Sequence, residues 1–428
     1  MTTVMLFVFF FVFLFLGVPI AFSIGLASVV VILTSGNASL IIIPQKITVA
    51  LSSFSLVGIP FFILAGEIME NSGITQKLVD FSKALIGWVT GGLSYVSIFT
   101  GMLLGGISGS GVADTAALGS IMIPSMKKEG YPTAYAAAIQ AASGSIGVII
   151  PPSITMIVLG GITNISVAKM FMAGVFPGIL VGLFMMLFSY LICRKRGYGI
   201  DDKTPLSLKT LGKTFSKAIL PLLAPVIIVG GILGGVFTAT EASVVAVAYT
   251  LFIGMVVYKT IKLKDLKRIL INTVKSTANV AIIIGLSASF GWLLTFGNFS
   301  QIISNLVIGI SSNKYVILLL INIVFFIGGM FLEGGALIIM FVPIFMPIAL
   351  QAGIDQLLFC LLITMNIVIG QLTPPVGVCL YVAAGISGTR LEDISKNIIP
   401  FIGAIMLVMI LCVLIPPLVS FLPSFVLG

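Results

Sequence analysis

The sequence predicts an all-α polytopic membrane protein organised as an inverted-topology repeat, with two re-entrant helical hairpins and two discontinuous helices. Three observations predict this fold: the composition, an internal repeat and the distribution of positive charge. Hydrophobic residues make up 59% and charged residues 8% of the 428 residues. A helix needs roughly 20 apolar residues to cross a bilayer, and the polar stretches between the apolar runs are short. The composition therefore excludes a soluble protein.

The internal repeat aligns residues 105–152 with residues 328–375 without a gap, at a constant offset of 223. Eleven positions are identical and eight of them are Gly or Pro. The eight pairs join Gly105, Gly106, Gly111, Pro124, Gly130, Gly147, Pro151 and Pro152 to Gly328, Gly329, Gly334, Pro347, Gly353, Gly370, Pro374 and Pro375. Two matched sets of helix breakers in an apolar chain indicate the binding site of a secondary transporter. The alternatives are chance and a duplication that serves folding alone.

The repeat divides the chain into two predicted halves. The first, residues 1–210, contains scaffold spans within 4–71, a re-entrant hairpin over 92–126, a broken helix over 133–165 and a span over 168–193. The second, residues 211–428, contains scaffold spans within 218–297, a re-entrant hairpin over 315–350, a broken helix over 357–388 and a span over 398–424.

The scaffold spans are predicted from breaks in the apolar runs. Gly17–Pro19 separates spans 4–17 and 19–34, as Thr238–Thr240 separates spans 218–237 and 240–258. An amphipathic stretch follows each pair and suits a helix along the membrane interface. These stretches are 38–53 and 260–274, and each precedes a further span, 55–71 or 277–297.

The hairpins are predicted because the apolar stretches on either side of each glycine cluster are short for a crossing. Their tips lie at Ser108–Gly111 and Leu332–Gly335. Two ordinary spans joined by a tight loop are the alternative. Each hairpin is followed by a long apolar run with a central Pro-Pro, which removes backbone donors and interrupts the helix.

The orientation follows from the positive charges. With the N-terminus outside, 19 of the 22 Lys and Arg residues lie on the inner face, and only Lys46, Lys169 and Lys314 lie outside. Five spans separate the hairpins, so the hairpins enter from opposite faces and their tips meet near the midplane. The net charge of +9 is therefore interpreted as a topology signal rather than as a nucleic-acid surface.

The first tip, SGSGVAD, places hydroxyls and a carboxylate beside uncovered backbone carbonyls. Hard monovalent cations require several oxygen ligands, so sodium is the preferred ion. An ionisable residue inside the membrane indicates function, although Asp114 could instead be a helix cap. The predicted first sodium site comprises Ser108, Ser110, Asp114, Ser145, Gly147, Val148, Pro151 and Ser153.

The second tip, GGMFLEGGA, faces GQLTPPVG and differs chemically, because Glu333 replaces Ser110. The predicted second sodium site comprises Gly328, Glu333, Gly334, Gly370, Thr373 and Val376. Two alternatives remain open: the Thr373 hydroxyl bonds to its own helix, and Glu333 caps the hairpin at the outer mouth.

The predicted midplane contains no Lys or Arg. A carboxylate substrate would therefore be held by helix N-termini, hydroxyls and cations, and a neutral substrate would also fit. The predicted substrate-binding residues are Ser110, Asp114, Ser153, Thr155, Gly335 and Pro375. Glu67 and Glu70 are interpreted as solvated residues at the inner end of a span.

Other chemistry has little support in this sequence. The four cysteines lack CxxC spacing and there is no His, which argues against haem, zinc and His-based catalysis. No cofactor is expected besides sodium as coupling ion. The first positive charge is Lys46, so the N-terminus is interpreted as a transmembrane segment rather than a cleaved signal peptide.

The motifs resemble the large membrane subunit of tripartite ATP-independent periplasmic (TRAP) transporters, of the DctM type, within the ion-transporter superfamily. The resemblance covers essentially the whole chain through GVPIAFSIG, IPFFILAGEIM, GGISGSGVADTAALGSIMIPSM, IIPPS and GQLTPPVG. It implies an elevator-type carrier, not an enzyme, in a bacterial inner membrane. It also implies three partners: a small four-span membrane subunit, a periplasmic substrate-binding protein and an organic acid such as a C4-dicarboxylate or sialic acid.

The alternative within the same class is a self-sufficient sodium- or proton-coupled carboxylate symporter. A channel would require a polar stripe along several spans. An intramembrane enzyme would require paired acids or histidines at the midplane, and Asp114 has no evident partner in the sequence.

Overall fold

The computed structural model describes residues 2–36, 38–52, 54–199, 207–311 and 313–427. Within these ranges the regular structure is helical, so the predicted all-α class is confirmed. The first half contains α1 (Thr2–Phe15), α2 (Ile20–Ser35), α3 (Ile42–Leu51), α4 (Phe54–Asn71), α5 (Ile74–Ile86), α6 (Gly92–Ser108), α7 (Gly111–Lys128), α8 (Thr133–Ser145), α9 (Ile154–Thr163) and α10 (Val167–Arg196).

The second half begins after residues 200–206, the part of the connecting polar stretch that lies outside the described residues. It contains α11 (Leu208–Leu233), α12 (Ala239–Phe252), α13 (Leu263–Phe296), α14 (Phe299–Ile310), α15 (Lys314–Phe331), α16 (Gly334–Gln351), α17 (Gln356–Gln371), α18 (Val378–Ser387), α19 (Leu391–Leu414) and α20 (Pro417–Leu427). A π-helical segment, Ile253–Val257, extends α12.

Several helices are long enough to cross a membrane. Among the described residues, seven helices pass by length and composition, and an eighth span is possible if a bent pair counts as one. The pair consists of Ile42–Leu51 and Leu56–Asn71, which are bent by 61°. The chain is thus a multi-span membrane protein with a bent helix pair. At 18 residues each, α15 and α16 are not too short to cross, contrary to the expectation for this hairpin.

The helix ends follow local polar signals. Ser110 caps α7 by accepting from the Ala113 amide, and Ser153 caps α9 by accepting from the Met156 amide. Thr238 and Glu241 form a reciprocal capping box at α12. In an apolar environment each cap satisfies amides that have no partner within the helix, which stabilises helices that begin inside the protein.

Two helical connections are very short. Gly109 and Ser110 join α6 to α7, and Leu332 and Glu333 join α15 to α16. Gly109 adopts the left-handed conformation at a φ of 64°, which favours glycine. These connections are the two tips predicted from the sequence.

The runs with Pro-Pro are interrupted. After α8 a short 3₁₀ segment, Ile146–Val148, is followed by non-helical residues before α9 begins. In the second half, residues 372–377 separate α17 from α18. A backbone hydrogen bond joins each hairpin to the broken run that follows it. The amide of Ile154, the first residue of α9, donates to the Gly109 carbonyl of the first tip at 3.4 Å. The Val376 amide of the second break donates to the Met330 carbonyl near the end of α15 at 3.1 Å.

Three predictions about elements were wrong. Residues 260–274 and 277–297 form one continuous helix, α13, because no proline interrupts them and Asp265 caps the N-terminus. The predicted span 398–424 ends at Leu414, since Pro416 and Pro417 follow directly and cannot continue the helix. The linkers after α4 and α13 contain helices, α5 and α14, whose amphipathic pattern was overlooked.

Candidate functional site

Both tips and the first helix break border one cavity of about 200 Å³. The first tip contributes Ser108 to Gly111, and the second contributes Glu333. The first break contributes Val148, and the last residue of α17, Gln371, lies at the cavity just before the second break. The remaining lining residues come from the first turns of α7 and α9 and from α4 and α13: Val112, Ala113, Ile154, Thr155, Phe62, Ile63, Gly66, Glu67, Glu70, Ser276 and Val280. The fold thereby brings residues that are far apart in the sequence to the same cavity.

Asp114 lies directly behind the first tip, in the first turn of α7, and is only 2% exposed. Ser108 Oγ donates to Asp114 Oδ1 at 2.6 Å and also accepts from the Ser110 amide at 3.1 Å. Asp114 Oδ2 has no hydrogen-bond partner among the described residues. An unpaired carboxylate oxygen is costly to bury, so this atom is suited to a cation or a proton.

Two glycines bring the backbone close to this carboxylate. A Cβ on Gly147 would lie against Asp114 Oδ2, and a Cβ on Gly105 would lie 2.5 Å from Gly147 Cα. The second half contains a similar contact between Gly329 and Gly370, whose Cα atoms approach closely. Gly328, a predicted member of the second sodium site, faces Leu337 instead, and its neighbour Gly329 packs against Gly370 near the end of α17.

The second tip borders a further cavity of about 380 Å³. Glu333 and Gly334 line it together with Gly370 and Val376, four of the six residues predicted for the second sodium site. Glu333 Oε2 accepts from the Gly335 amide at 2.9 Å, so this carboxylate caps α16. Glu333 and Gln371 line both cavities, which places them where the two cavities adjoin.

The serines and the threonine of the breaks bond to their own segments. Ser145 Oγ donates to the Ala142 carbonyl and Ser153 Oγ to the Val148 carbonyl. Thr373 Oγ1 donates to the Ile369 carbonyl at 2.7 Å. A donating hydroxyl retains lone pairs, so these groups can still act as ligands.

Only some of the predicted substrate-binding residues lie at the first cavity. Ser110 and Thr155 line the first cavity. Pro375 is exposed and lines neither of the two cavities described here. Pro151, a residue of the predicted first sodium site, lies near α6. Its carbonyl oxygen is 3.9 Å from the position that a Cβ on Gly106 would occupy.

Four polar lining residues were not predicted as site members: Glu67, Glu70, Ser276 and Gln371. Glu67 Oε2 accepts from Asn272 Nδ2 at 3.4 Å, which joins α4 to α13 beside the cavity. Glu67 and Glu70 did carry a sequence signal, since an acidic pair near the end of an apolar helix is unusual. The interpretation of this pair as solvated residues did not include the cavity.

The family model for the DctM component of tripartite ATP-independent periplasmic transporters matches residues 7–418. The chain belongs to this family. It is therefore the large permease of a TRAP transporter and not an enzyme, as its motifs indicated. It is a multi-pass membrane protein of a bacterial TRAP system.

Two relatives show how far the similarity extends. The permease is 36% identical over 412 residues to the sialic acid TRAP transporter large permease SiaM of Vibrio cholerae, with 96% of each chain covered. It is 33% identical over 449 residues to the C4-dicarboxylate large permease DctM of the same organism, with 100% of this chain and 99% of that chain covered. The names of these two relatives specify different substrates.

A solved structure shares the fold. The antimetabolite efflux pump MtrF of Neisseria gonorrhoeae matches with a TM-score of 0.61 at 15% identity, over 94% of this chain and 85% of that chain. At this identity the similarity concerns architecture alone.

Proposed function

We propose that the permease imports an organic acid, such as a C4-dicarboxylate, sialic acid or a related carboxylate, driven by a sodium gradient. The observation that carries the proposal is the cavity bordered by both tips, the first break and the end of α17, together with the unpaired Oδ2 of Asp114 directly behind the first tip. None of the described lining residues is Lys or Arg, whereas Glu67, Glu70 and Glu333 are acidic. An organic anion entering this cavity requires accompanying cations, which is the physical reason for coupling.

The cation ligands would come from the tip and the first break. Asp114 and Ser108 offer a carboxylate and a hydroxyl, and Ser110, Ser145, Gly147, Val148, Pro151 and Ser153 offer hydroxyls or backbone carbonyls nearby. Sodium in this site would neutralise Asp114 and present positive charge toward the cavity. The substrate carboxylate would contact Ser110 and Thr155, near the N-termini of α7 and α9, whose amides favour negative charge.

The hairpins in this proposal are re-entrant and the repeat is inverted. A loop between two full spans must reach the membrane surface, but Ser108 and Gly109 are buried beside the break of the following helix. The eight Gly and Pro pairs at one constant offset support a common origin of both halves. The transport domain with both hairpins would move past the scaffold as an elevator in the inner membrane, with the N-terminus in the periplasm.

The proposed partners are a small four-span subunit and a periplasmic substrate-binding protein. The test is uptake of labelled sialic acid, succinate and 2-keto acids into proteoliposomes containing the permease and its small subunit. Uptake that requires both a sodium gradient and the binding protein supports the proposal. Uptake without the binding protein would instead identify a self-sufficient symporter. Uptake that follows a proton gradient and ignores sodium contradicts sodium coupling.

Thr373→Val is expected to weaken a second sodium site. The substitution keeps the side-chain shape and removes the hydroxyl oxygen, a loss of about 1 kcal/mol or roughly fivefold in sodium affinity. Thr364→Val is the matched control, because Thr364 Oγ1 makes the same type of bond, to the Cys360 carbonyl at 3.0 Å, in the same helix region. The readout is the dependence of unfolding temperature on sodium concentration. Equal dependence in the two variants would remove Thr373 from the site.

A further inference from the structure

A separate pocket of about 460 Å³ lies where α5, α11 and the end of α12 meet, away from the tips. Its lining residues are Gln76, Lys77, Asp80, Ser216, Lys217, Leu220, Val257 and Tyr258. It contains two lysines on different helices, one carboxylate and an apolar base. Neither the transport cavity nor the family assignment accounts for this combination.

The two lysines are held by one tyrosine. Lys77 Nζ lies 3.9 Å from the centre of the Tyr258 ring, and the Tyr258 hydroxyl donates to the Lys217 carbonyl at 2.7 Å. Burial, together with the positive charge of Lys217, lowers the pKa of Lys77, while Asp80 opposes this shift. Asp80 already accepts from Gln76 Nε2 at 2.8 Å. Two ammonium groups and one carboxylate leave the pocket with one positive charge to be balanced.

The base of the pocket continues into an apolar surface. Leu220 on α11 and Val257 at the end of α12 belong to the lining. One turn further along α11 Leu223 is 39% exposed, and on α12 Phe252 is 54% exposed. Tyr249 on α12 donates to the Leu220 carbonyl at 2.9 Å, so the two helices stay together along this surface. A polar, positive pocket above an apolar surface between helices is the arrangement that fits a lipid rather than a soluble anion.

We propose that this pocket binds the phosphodiester headgroup of an anionic phospholipid, with the acyl chains along α11 and α12. Lys77 and Lys217 contact the phosphate, Ser216 donates to it, and Leu220 and Val257 contact the start of the chains. One phosphodiester balances the single net positive charge of the pocket.

The bound lipid stabilises the attachment of α5. This helix packs on α11 through Phe81 and Phe215, whose ring centres are 5.7 Å apart. It also reaches the end of α7 through the ion pair of Lys83 and Glu129 at 3.1 Å. Because α5 connects α11 to the first hairpin, a lipid at this junction stabilises the element that joins them.

The test is native mass spectrometry of the purified full-length permease titrated with phosphatidylglycerol or phosphatidylethanolamine. Phosphatidylglycerol is expected to bind more tightly, and Lys77→Gln with Lys217→Gln to weaken it by roughly thirtyfold, from about fivefold for each lysine. The control pair, Lys264→Gln with Lys267→Gln, removes the same charge from exposed positions on α13 and should retain binding. Lys217→Gln alone concerns an exposed side chain and provides a variant whose folding is unaffected.

Equal phosphatidylglycerol binding by the two pairs would overturn the proposal. Glycerol 3-phosphate that displaces the lipid at equal concentration would also overturn it, since the ligand would then be a soluble phosphate. Replacing both lysines by Arg keeps the charge and is expected to preserve binding. The experiment measures lipid binding and involves neither a sodium gradient nor uptake, so its result is independent of the proposed transport function.

Discussion

Asp114→Ala is expected to abolish the sodium-dependent stabilisation of the permease and its sodium-driven uptake. The carboxylate is 2% exposed, one oxygen accepts from Ser108, and the other has no partner among the described residues. In the proposed site the substitution leaves a sodium ion without its carboxylate, and truncating one partner of a buried charge pair costs about 2–5 kcal/mol of binding free energy. Thermal unfolding in sodium and in potassium at equal ionic strength measures the effect, because a ligand at 100 times Kd adds roughly 2.7 kcal/mol of stability.

Two further variants show whether the expected loss comes from the charge of Asp114. Asp114→Asn keeps the size of the side chain and removes its charge, and should behave like Asp114→Ala. Asp355→Asn is the matched control, because Asp355 is exposed and caps α17, where Asn serves equally well. A full sodium response in Asp114→Asn would contradict the proposed first site. Stabilisation that depends on pH but not on sodium would indicate proton coupling.

Gly105→Ala is expected to destabilise the permease and to abolish uptake. A Cβ at this position would lie 2.5 Å from Gly147 Cα and 3.1 Å from its nitrogen, and both neighbours are backbone atoms that cannot rotate away. Overpacking of a tight interior costs about 1–3 kcal/mol. The displaced break would also move Gly147 relative to Asp114, so the sodium affinity should fall together with the unfolding temperature.

Gly403→Ala is the matched control for this substitution. Gly403 is also helical, and a Cβ there meets no atom within 4 Å. Replacing it should raise stability by about 0.5–1 kcal/mol, because glycine weakens a helix interior. Both variants are compared by unfolding temperature and by uptake. If Gly105→Ala were as stable and active as Gly403→Ala, the close approach of α6 to the first break would have no role in transport.

Local signals explain why the tips and breaks were predicted well. Glycine and proline act on their own residue and its neighbours, so α6 ends at Ser108 and α15 ends at Phe331, as the glycine clusters indicated. The continuous α13 and the helix α14 also have local signals, namely the absence of proline with a cap at Asp265 and an amphipathic pattern. These signals are weaker than glycine and proline clusters, and neither element was predicted.

The candidate site was predicted in part for the same reason. Asp114 and Ser108 are six residues apart on one tip, so their hydrogen bond could be anticipated from proximity. Glu70 and Gln371 are 301 residues apart and line the same cavity only because α4 and the end of α17 converge there. The repeat offset pairs Gly105 with Gly328, but the residue that contacts Gly370 is Gly329. The two halves therefore pack in registers that differ by one residue.

The sequence by itself determined that this protein is an all-helical membrane permease of the TRAP family with two pairs of helix breakers. Composition and backbone punctuation act locally, and motif similarity extends along the whole chain. Only the tertiary structure decided which oxygens share a cavity, which carboxylate atom is left unpaired, and where two lysines meet above an apolar surface. These features arise from contacts between distant segments, and such contacts form only when the helices pack.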